Sequence, residues 1–234
     1  MYGPIIVIIY KEIEKAGGTQ HEFTINKRYF YEKLSVVSRA ISVFSPLPAF
    51  SGVKIDVSAT QIVLTGSDSD ISIRSTILPD EDNQLTINDI GSIVIEAKYI
   101  LEIVRKIEGD VIEIEILDDT LTRISGTNAQ FKINGMKSTD YPAIDFSQPR
   151  ESFQISSEVL KEIITLACFA TRPGDPSVLT GVNFSCRISG CRAWPPIRIV
   201  WRRSWCRSTT VSFNITIPSR ACRRSSRASV KKRT

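Results

Sequence analysis

The sequence has a single histidine, two methionines and no long apolar run. The run Ile5–Ile9 is far shorter than the roughly 20 residues that span a bilayer, and no signal-peptide features accompany it. We therefore expect a soluble, cytoplasmic protein. His21 has no partners for acid–base catalysis, and we find no Ser/His/Asp set, phosphate-binding glycine loop or metal-ligand spacing. From these absences we expect that the chain is not an enzyme and that it binds no cofactor or metal.

Acidic residues are missing from one long stretch. Residues 185–234 hold 13 of the 30 Lys and Arg and no Asp or Glu, which leaves residues 1–184 with 17 basic and 25 acidic groups, a net charge of −8. Four of the five cysteines and all three tryptophans also lie in 185–234. A disulfide framework is one interpretation of these cysteines, but nothing upstream indicates secretion. The change in composition predicts a boundary near residue 184.

A strand, cap and helix pattern occurs twice. Phe23–Asn26 alternates as a strand, Asn26 is a suitable N-cap, and apolar residues follow at helical spacing from Lys27. These apolar positions are Phe30, Leu34, Val37 and Ile41 in the first copy and Leu160, Ile164 and Ala167 in the second. Each helix leads through a proline-containing loop into a strand, at Gly52 and at Gly181, 129 positions apart. A period of this length indicates a duplicated domain, since solenoid repeats are much shorter.

Alternating segments between the two copies predict antiparallel β hairpins. They are Gln61–Gly66, Asp70–Ser75, Val111–Leu117, Leu121–Ser125 and Ala129–Ile133. A second helix is predicted at Ala97–Ile107, with Ile100, Leu101 and Val104 on its apolar face and Gly109 as its stop. The polar segment Asp140–Pro149 is the predicted linker. These patterns predict an α+β fold in which two helices pack on antiparallel sheet, tandemly duplicated, with the second copy incomplete.

A series of short motifs resembles the bacterial DNA polymerase III beta subunit family, the sliding clamps, in order and spacing. The motifs are Phe23–Lys27, Ser38–Ile41, Leu47–Pro48, Val53–Ile55, Leu64–Asp68, Glu96–Tyr99, Leu121–Ser125, Asp140–Pro142, Leu179–Phe184 and Ile217–Arg220. The resemblance is continuous from about Glu22 to Phe184 and implies the clamp fold. It also implies a DNA replication processivity factor, a homodimeric ring that encircles double-stranded DNA and tethers DNA polymerase III.

In this family, helices present Lys and Arg to the DNA phosphates without reading bases. The resemblance therefore implies a set of basic candidates for DNA contact. They are Lys27, Arg28, Lys33, Arg39, Lys98, Arg105, Lys106 and Lys161. For each of them the alternative is an ordinary solvated helix residue. Polymerase and exonuclease activities belong to other subunits of the family's holoenzyme, so no catalytic residue is expected here.

The resemblance stops after Phe184, where clamps continue with the segment Val-Ala-Thr-Asp-Ser-His-Arg-Leu-Ala. Codons permissible for Ala193–Arg202, read from the third base, encode that segment, and clamp-like sequence returns at 212–220. We hypothesise that two stretches of 185–234 are translated out of frame, and we expect that tail to have no packed core. The competing interpretation is a natural arginine-rich tail that makes the chain a stand-alone nucleic-acid-binding module.

These observations predict four regions. Residues 1–21 are a disordered leader outside the family, 22–146 are the first clamp domain, 147–184 begin the second, and 185–234 are the basic tail. The family's docking cleft for the polymerase alpha subunit and the clamp loader uses the segment missing after Phe184, and its ring closes through a third domain. We therefore expect this chain to have lost those protein partners and to form no closed ring.

Overall fold

The structure is a computed structural model, and it places the described part of the chain in two compact units, Met1–Ile144 and Asp145–Thr234. The residues described are 7–8, 21–42, 47–68, 71–118, 120–147, 158, 161, 164–165, 181–187, 190–194, 203–204 and 213–218. Some side chains within the last strands lie outside that description.

The first helix, α1 (Lys27–Val37), begins where the sequence predicts. The side chain of Asn26 accepts a hydrogen bond of 3.1 Å from the Tyr29 amide, which satisfies one of the free donors at the helix start. Phe30, Leu34 and Val37 are fully buried, as their helical spacing predicts, whereas the fourth predicted position, Ile41, lies beyond the helix in extended conformation and is half-buried. A 3-10 turn at Ser38–Ala40 ends the helix.

The second helix, α2 (Ala97–Lys106), is also confirmed. Ile100 and Val104 are fully buried as predicted, while Leu101 is only half-buried and Ile103 packs into the core in addition. The predicted stop, Gly109, has φ = +116°. A Cβ atom there would lie 2.6 Å from Oγ1 of Thr127, so both the conformation and the close contact require glycine.

Eleven strands are described in the first unit. They are β1 (Val7–Ile8), β2 (His21–Asn26), β3 (Gly52–Ser58), β4 (Gln61–Ser67), β5 (Ser72–Ile77), β6 (Thr86–Ile87), β7 (Gly91–Glu96), β8 (Val111–Asp118), β9 (Leu121–Ser125), β10 (Gln130–Asn134) and β11 (Met136–Lys137). They form a six-stranded sheet in the order β1-β10-β9-β8-β2-β6 and a five-stranded sheet in the order β11-β7-β3-β4-β5. All neighbouring strands are antiparallel.

Both sheets and both helices share one hydrophobic core. Ile25 comes from the six-stranded sheet, Leu64 from the five-stranded sheet, Leu34 from α1 and Ile100 from α2. The helices therefore lie on the core side of the sheets and leave their polar faces free. The α+β fold predicted from the sequence, with two helices on antiparallel sheet, is confirmed.

The leader contributes one short strand. Val7 lies opposite Lys132 and Ile8 opposite Phe131, so β1 pairs with the outer edge of β10. The expectation of a disordered leader does not hold at these two residues, because their backbone groups bond to an edge strand that would otherwise be open. The rest of residues 1–20 lies outside the described residues.

In the second unit, Glu158, Lys161, Ile164 and Thr165 are helical, and Ile164 is buried as predicted. The predicted core positions Leu160 and Ala167 lie outside the described residues. Four strands are described: β12 (Gly181–Arg187), β13 (Gly190–Trp194), β14 (Arg203–Ser204) and β15 (Phe213–Pro218). They form an antiparallel sheet in the order β14-β13-β12-β15.

The second sheet repeats part of the first unit. The order β5-β4-β3-β7 corresponds to β14-β13-β12-β15, and β3 and β12 begin at Gly52 and Gly181. In both cases two residues, 59–60 and 188–189, connect the central strand to the next one. The duplication predicted from the sequence is present in the strand topology.

The basic tail takes part in this sheet through its backbone. Strands β13, β14 and β15 all lie within 185–234, and β15 coincides with the clamp-like segment 212–220. Strand pairing needs only backbone N–H and C=O groups, which an unusual side-chain composition does not remove. The expectation that this tail has no packed core concerns side chains that mostly lie outside the described residues, and it stays a prediction.

Candidate nucleic-acid interface

The two helices of the first unit contact each other, with the start of α1 beside the end of α2. Lys27 makes two hydrogen bonds there, one to the residue that precedes β8 and one to the residue that follows α2. The Lys27 amide donates to the carbonyl of Asp110 at 2.8 Å, and the Lys27 ammonium donates to the carbonyl of Ile107 at 2.6 Å. A cation at a helix C-terminus interacts favourably with the helix dipole as well. Lys27 therefore fixes the two helices in register at this end.

On α1, the remaining cations lie on the solvent side. The Arg28 side chain is 81 % exposed, and its Nε is 3.6 Å from the Glu32 carboxylate. The Lys33 ammonium lies 5.0 Å from the centroid of the Tyr29 ring, a cation–π contact. Arg39, in the 3-10 turn, is exposed. Lys33 is half-buried, and the three side chains place positive charge at the start, in the middle and at the 3-10 end of this helix.

On α2, Lys98, Arg105 and Lys106 are exposed. Glu102 lies 4.0 Å from Arg105 and 3.8 Å from Lys106, so one carboxylate faces two cations. Exposed ion pairs of this kind are weak, which allows the cations to turn toward a stronger anion. We define the helical basic surface as Arg28, Lys33, Arg39, Lys98, Arg105 and Lys106.

The structure distributes the eight predicted DNA-contact residues in three ways. Six form the helical basic surface, Lys27 bonds to Ile107 inside the protein, and Lys161 is exposed on the helical segment of the second unit. The sequence interpretation overlooked Tyr29 and Glu102, which contact three of these cations. Their i, i+3 and i, i+4 spacing from the cations was the available signal.

The outward face of the six-stranded sheet has a different character. Glu22, Glu113 and Glu115 alternate with buried apolar residues and so lie on the side away from the helices. Arg123 pairs with Glu115 at 2.7 Å. Burial, together with a hydrogen bond and charge repulsion from Glu22, raises the pKa of Glu113. The helix side of this unit is therefore basic, and this sheet face carries clustered carboxylates.

Within the described ranges, no helix is long and apolar enough to cross a membrane. In the same part of the chain, no group of three His, Cys, Asp or Glu side chains is arranged to hold a metal ion.

An α+β unit with two basic helices over antiparallel sheet, and a second unit that repeats its strand order, has the architecture of the DNA-clamp class. The family model described as "DNA polymerase III beta subunit, N-terminal domain" matches residues 21–145. The chain belongs to the DNA polymerase III beta subunit family, as its motifs predicted.

Named relatives agree with this assignment. The chain is 32 % identical over 209 residues to the beta sliding clamp of Staphylococcus epidermidis, a match that covers 86 % of this chain and 54 % of that protein. The beta sliding clamp of Staphylococcus aureus gives the same identity and coverage. The chain therefore spans about half the length of the curated relatives that it matches.

Solved structures show the same fold. The DNA polymerase sliding clamp of Bacillus subtilis has a TM-score of 0.83 and 31 % identity, and the match covers 92 % of this chain and 58 % of that one. The DNA polymerase III beta chain of Streptococcus pneumoniae also has a TM-score of 0.83, with 27 % identity over 90 % of this chain and 57 % of that one.

Proposed function

We propose that this chain is a sliding-clamp subunit, a processivity factor for DNA replication whose helices face double-stranded DNA. The observation that carries this proposal is the helical basic surface. Its six cations, five of them exposed and Lys33 half-buried, lie on two adjacent helices and their ends, while clustered carboxylates lie on the outward face of the six-stranded sheet. Such a division of charge attracts a polyanion to the helix side of the first unit.

The chemistry of this surface suits contact with the phosphate backbone. The cations are long side chains held by weak exposed ion pairs, so duplex DNA can replace Glu32 and Glu102 as their partner at little cost. Arg28 and Arg105 are exposed and have only such weak pairs, so their guanidinium groups are not held rigidly for reading base edges. We infer sequence-independent, salt-sensitive binding, and we assign no catalytic step to the chain.

The experiment must separate the helices from the basic tail, since either could bind DNA. Two double variants, R105Q/K106Q on α2 and R223Q/R224Q in the tail, remove equal charge, and R74Q serves as a control on a strand face away from the helices. Affinity for a DNA duplex is measured by fluorescence anisotropy at several salt concentrations. Each lost phosphate contact reduces the slope of log K against log salt by about 0.9.

We expect the α2 variant to lower both the affinity and the slope, with R74Q close to the parent. If only the tail variant lowers the slope, the chain acts through its arginine-rich tail and the clamp mode of binding is wrong for this protein. The comparisons favour the clamp, because the match to a curated sliding clamp covers 86 % of this chain.

The protein partners of the family form a finer proposal. We propose a cytoplasmic protein of a family whose members form a dimeric ring with DNA polymerase III and its clamp loader, and we expect weak or no docking of those proteins because the segment Val-Ala-Thr-Asp-Ser-His-Arg-Leu-Ala is absent after Phe184. Light scattering of the purified chain and titration with a clamp-binding peptide test this directly. A ring-sized dimer, or measurable peptide affinity, would show that those partners are retained.

A further inference from the structure

The hairpin of the second unit places two cysteines opposite each other. Cys186 on β12 and Cys191 on β13 are Cα partners in the antiparallel register. Arg187 and Gly190 form the last pair before the two-residue connection, residues 188–189. Four of the chain's five cysteines lie beyond residue 184, and the register brings these two together.

The position of this pair in the ladder is favourable for a disulfide. In a two-residue hairpin the closing pair carries the turn hydrogen bond, and hydrogen-bonded and non-hydrogen-bonded pairs alternate along an antiparallel ladder. Cys186 and Cys191 are one step from the closing pair, so we expect them to occupy a non-hydrogen-bonded position. Residues there have Cα atoms about 4.5 Å apart, within the range of about 4.4–6.8 Å that a disulfide spans.

The thiolate is the form that attacks a disulfide, and residues 185–234 contain no Asp or Glu.

We propose that Cys186 and Cys191 form a redox-active dithiol that closes a reversible cross-strand disulfide. The oxidant is a low-molecular-weight disulfide of the glutathione class. One thiolate attacks a sulfur of the oxidant and releases a thiolate, which gives a mixed disulfide. The second cysteine thiolate then attacks the protein sulfur and releases the other thiolate. The protein loses two electrons and two protons, and the oxidant is reduced to two thiols.

The test uses the full-length variant C168S/C206S/C222S, which retains only the proposed pair. The protein is equilibrated with reduced and oxidised glutathione and quenched with acid, and its intact mass is then measured by mass spectrometry. We expect loss of the mass of two hydrogens with no glutathione adduct. Adding C186S to this background leaves one thiol, which then accumulates as a glutathione adduct.

A close sequence spacing alone can also promote a disulfide, so the fold must be shown to contribute. The matched control C191S/R192C in the same background moves one cysteine by a single residue and turns it to the other face of the sheet. The equilibrium with glutathione gives an effective concentration for each pair of cysteines. We expect this value to be at least about tenfold higher for Cys186–Cys191 than for the shifted pair in native buffer. In urea, where the fold is lost, we expect this difference to disappear. Equal values for the two variants in native buffer, or glutathione adducts on both cysteines of the original pair, would overturn the proposal.

Discussion

The ammonium group of Lys27, the first residue of α1, donates a 2.6 Å hydrogen bond to the carbonyl of Ile107, the residue that follows α2. The two residues are 80 positions apart in sequence. The bond joins the two helices that carry the helical basic surface. It also satisfies a carbonyl at a helix end, where the intrahelical partner is missing.

Replacing Lys27 with methionine should destabilise the first unit. The variant keeps most of the side-chain volume but leaves the Ile107 carbonyl without its charged donor, which costs about 1–2 kcal/mol. Urea unfolding measures the difference. Lys98→Met, at an exposed position on α2, is the control and should change the free energy of unfolding very little. Equal losses in the two variants would show that the Lys27 hydrogen bond contributes nothing specific.

Gly66 on β4 allows α1 to approach the five-stranded sheet. A Cβ atom there would lie 2.8 Å from the Val37 carbonyl oxygen and 2.9 Å from Val37 Cγ1. Gly66→Ala should therefore push the end of α1 away from the sheet and lower the free energy of unfolding by about 1–3 kcal/mol. Thermal unfolding followed by circular dichroism tests this, and a variant as stable as the parent would show that the contact relaxes freely.

Two carboxylates should give opposite pH dependences of stability. The pKa of Glu113 is raised by burial and by Glu22, so the folded state holds this proton more tightly than the unfolded state does. Its ionisation costs stability as the pH rises above the ordinary value of 4.5. Glu113→Gln should therefore be more stable than the parent at neutral pH, and this difference should disappear in acid.

Asp118 is the matched comparison. Hydrogen bonds from the Thr120 amide and hydroxyl lower its pKa, so its contribution to stability is present above the ordinary value of 3.8 and is lost as the pH falls through the lowered pKa. Asp118→Asn should be less stable than the parent at neutral pH. Unfolding midpoints of both variants are measured from acidic to neutral pH. If the two substitutions change stability in the same direction at neutral pH, the direction of the pKa shift assigned to one of the two carboxylates is wrong.

The leader strand should protect the edge of the six-stranded sheet. Proline at both Val7 and Ile8 removes the backbone donors of β1, whichever of the two bonds to β10. Amide hydrogen exchange within Gln130–Asn134 should then become faster, while β8 keeps its protection because β2 and β9 flank it. Unchanged exchange in β10 would mean that the leader strand does not cover this edge in solution.

Local pattern was sufficient for much of the fold. The Asn26 cap, the buried face of α1 and the strand Leu121–Ser125 were all predicted with correct or nearly correct bounds, because each depends on residues close together in the chain. The β7 strand was missed. Its sequence has a continuous buried run, Ile93–Ile95, instead of strict alternation, so periodicity alone did not indicate a strand.

The sequence predicted which basic residues belong to the candidate site, but it did not predict which groups those residues contact. Basic residues on two helices followed from the motifs, and five of the first unit's seven candidates are exposed on those helices and their ends, while Lys27 and Lys33 are half-buried. That Lys27 bonds to Ile107, and that Glu102 faces two cations, depended on distances that only packing establishes. The hypothesis of translation out of frame in 185–234 stays a prediction, which the nucleotide sequence around Phe184 would test.

By itself, the amino-acid sequence determined the helices, most of the strands, the duplicated pattern and the family, because side-chain periodicity, caps and short motifs are properties of neighbouring residues. The tertiary structure alone decided which distant groups meet: Lys27 with Ile107, the leader with β10, and Cys186 with Cys191 across a hairpin. Such pairings depend on sheet register and helix docking, which arise from burial of the whole core and are not encoded in any one segment.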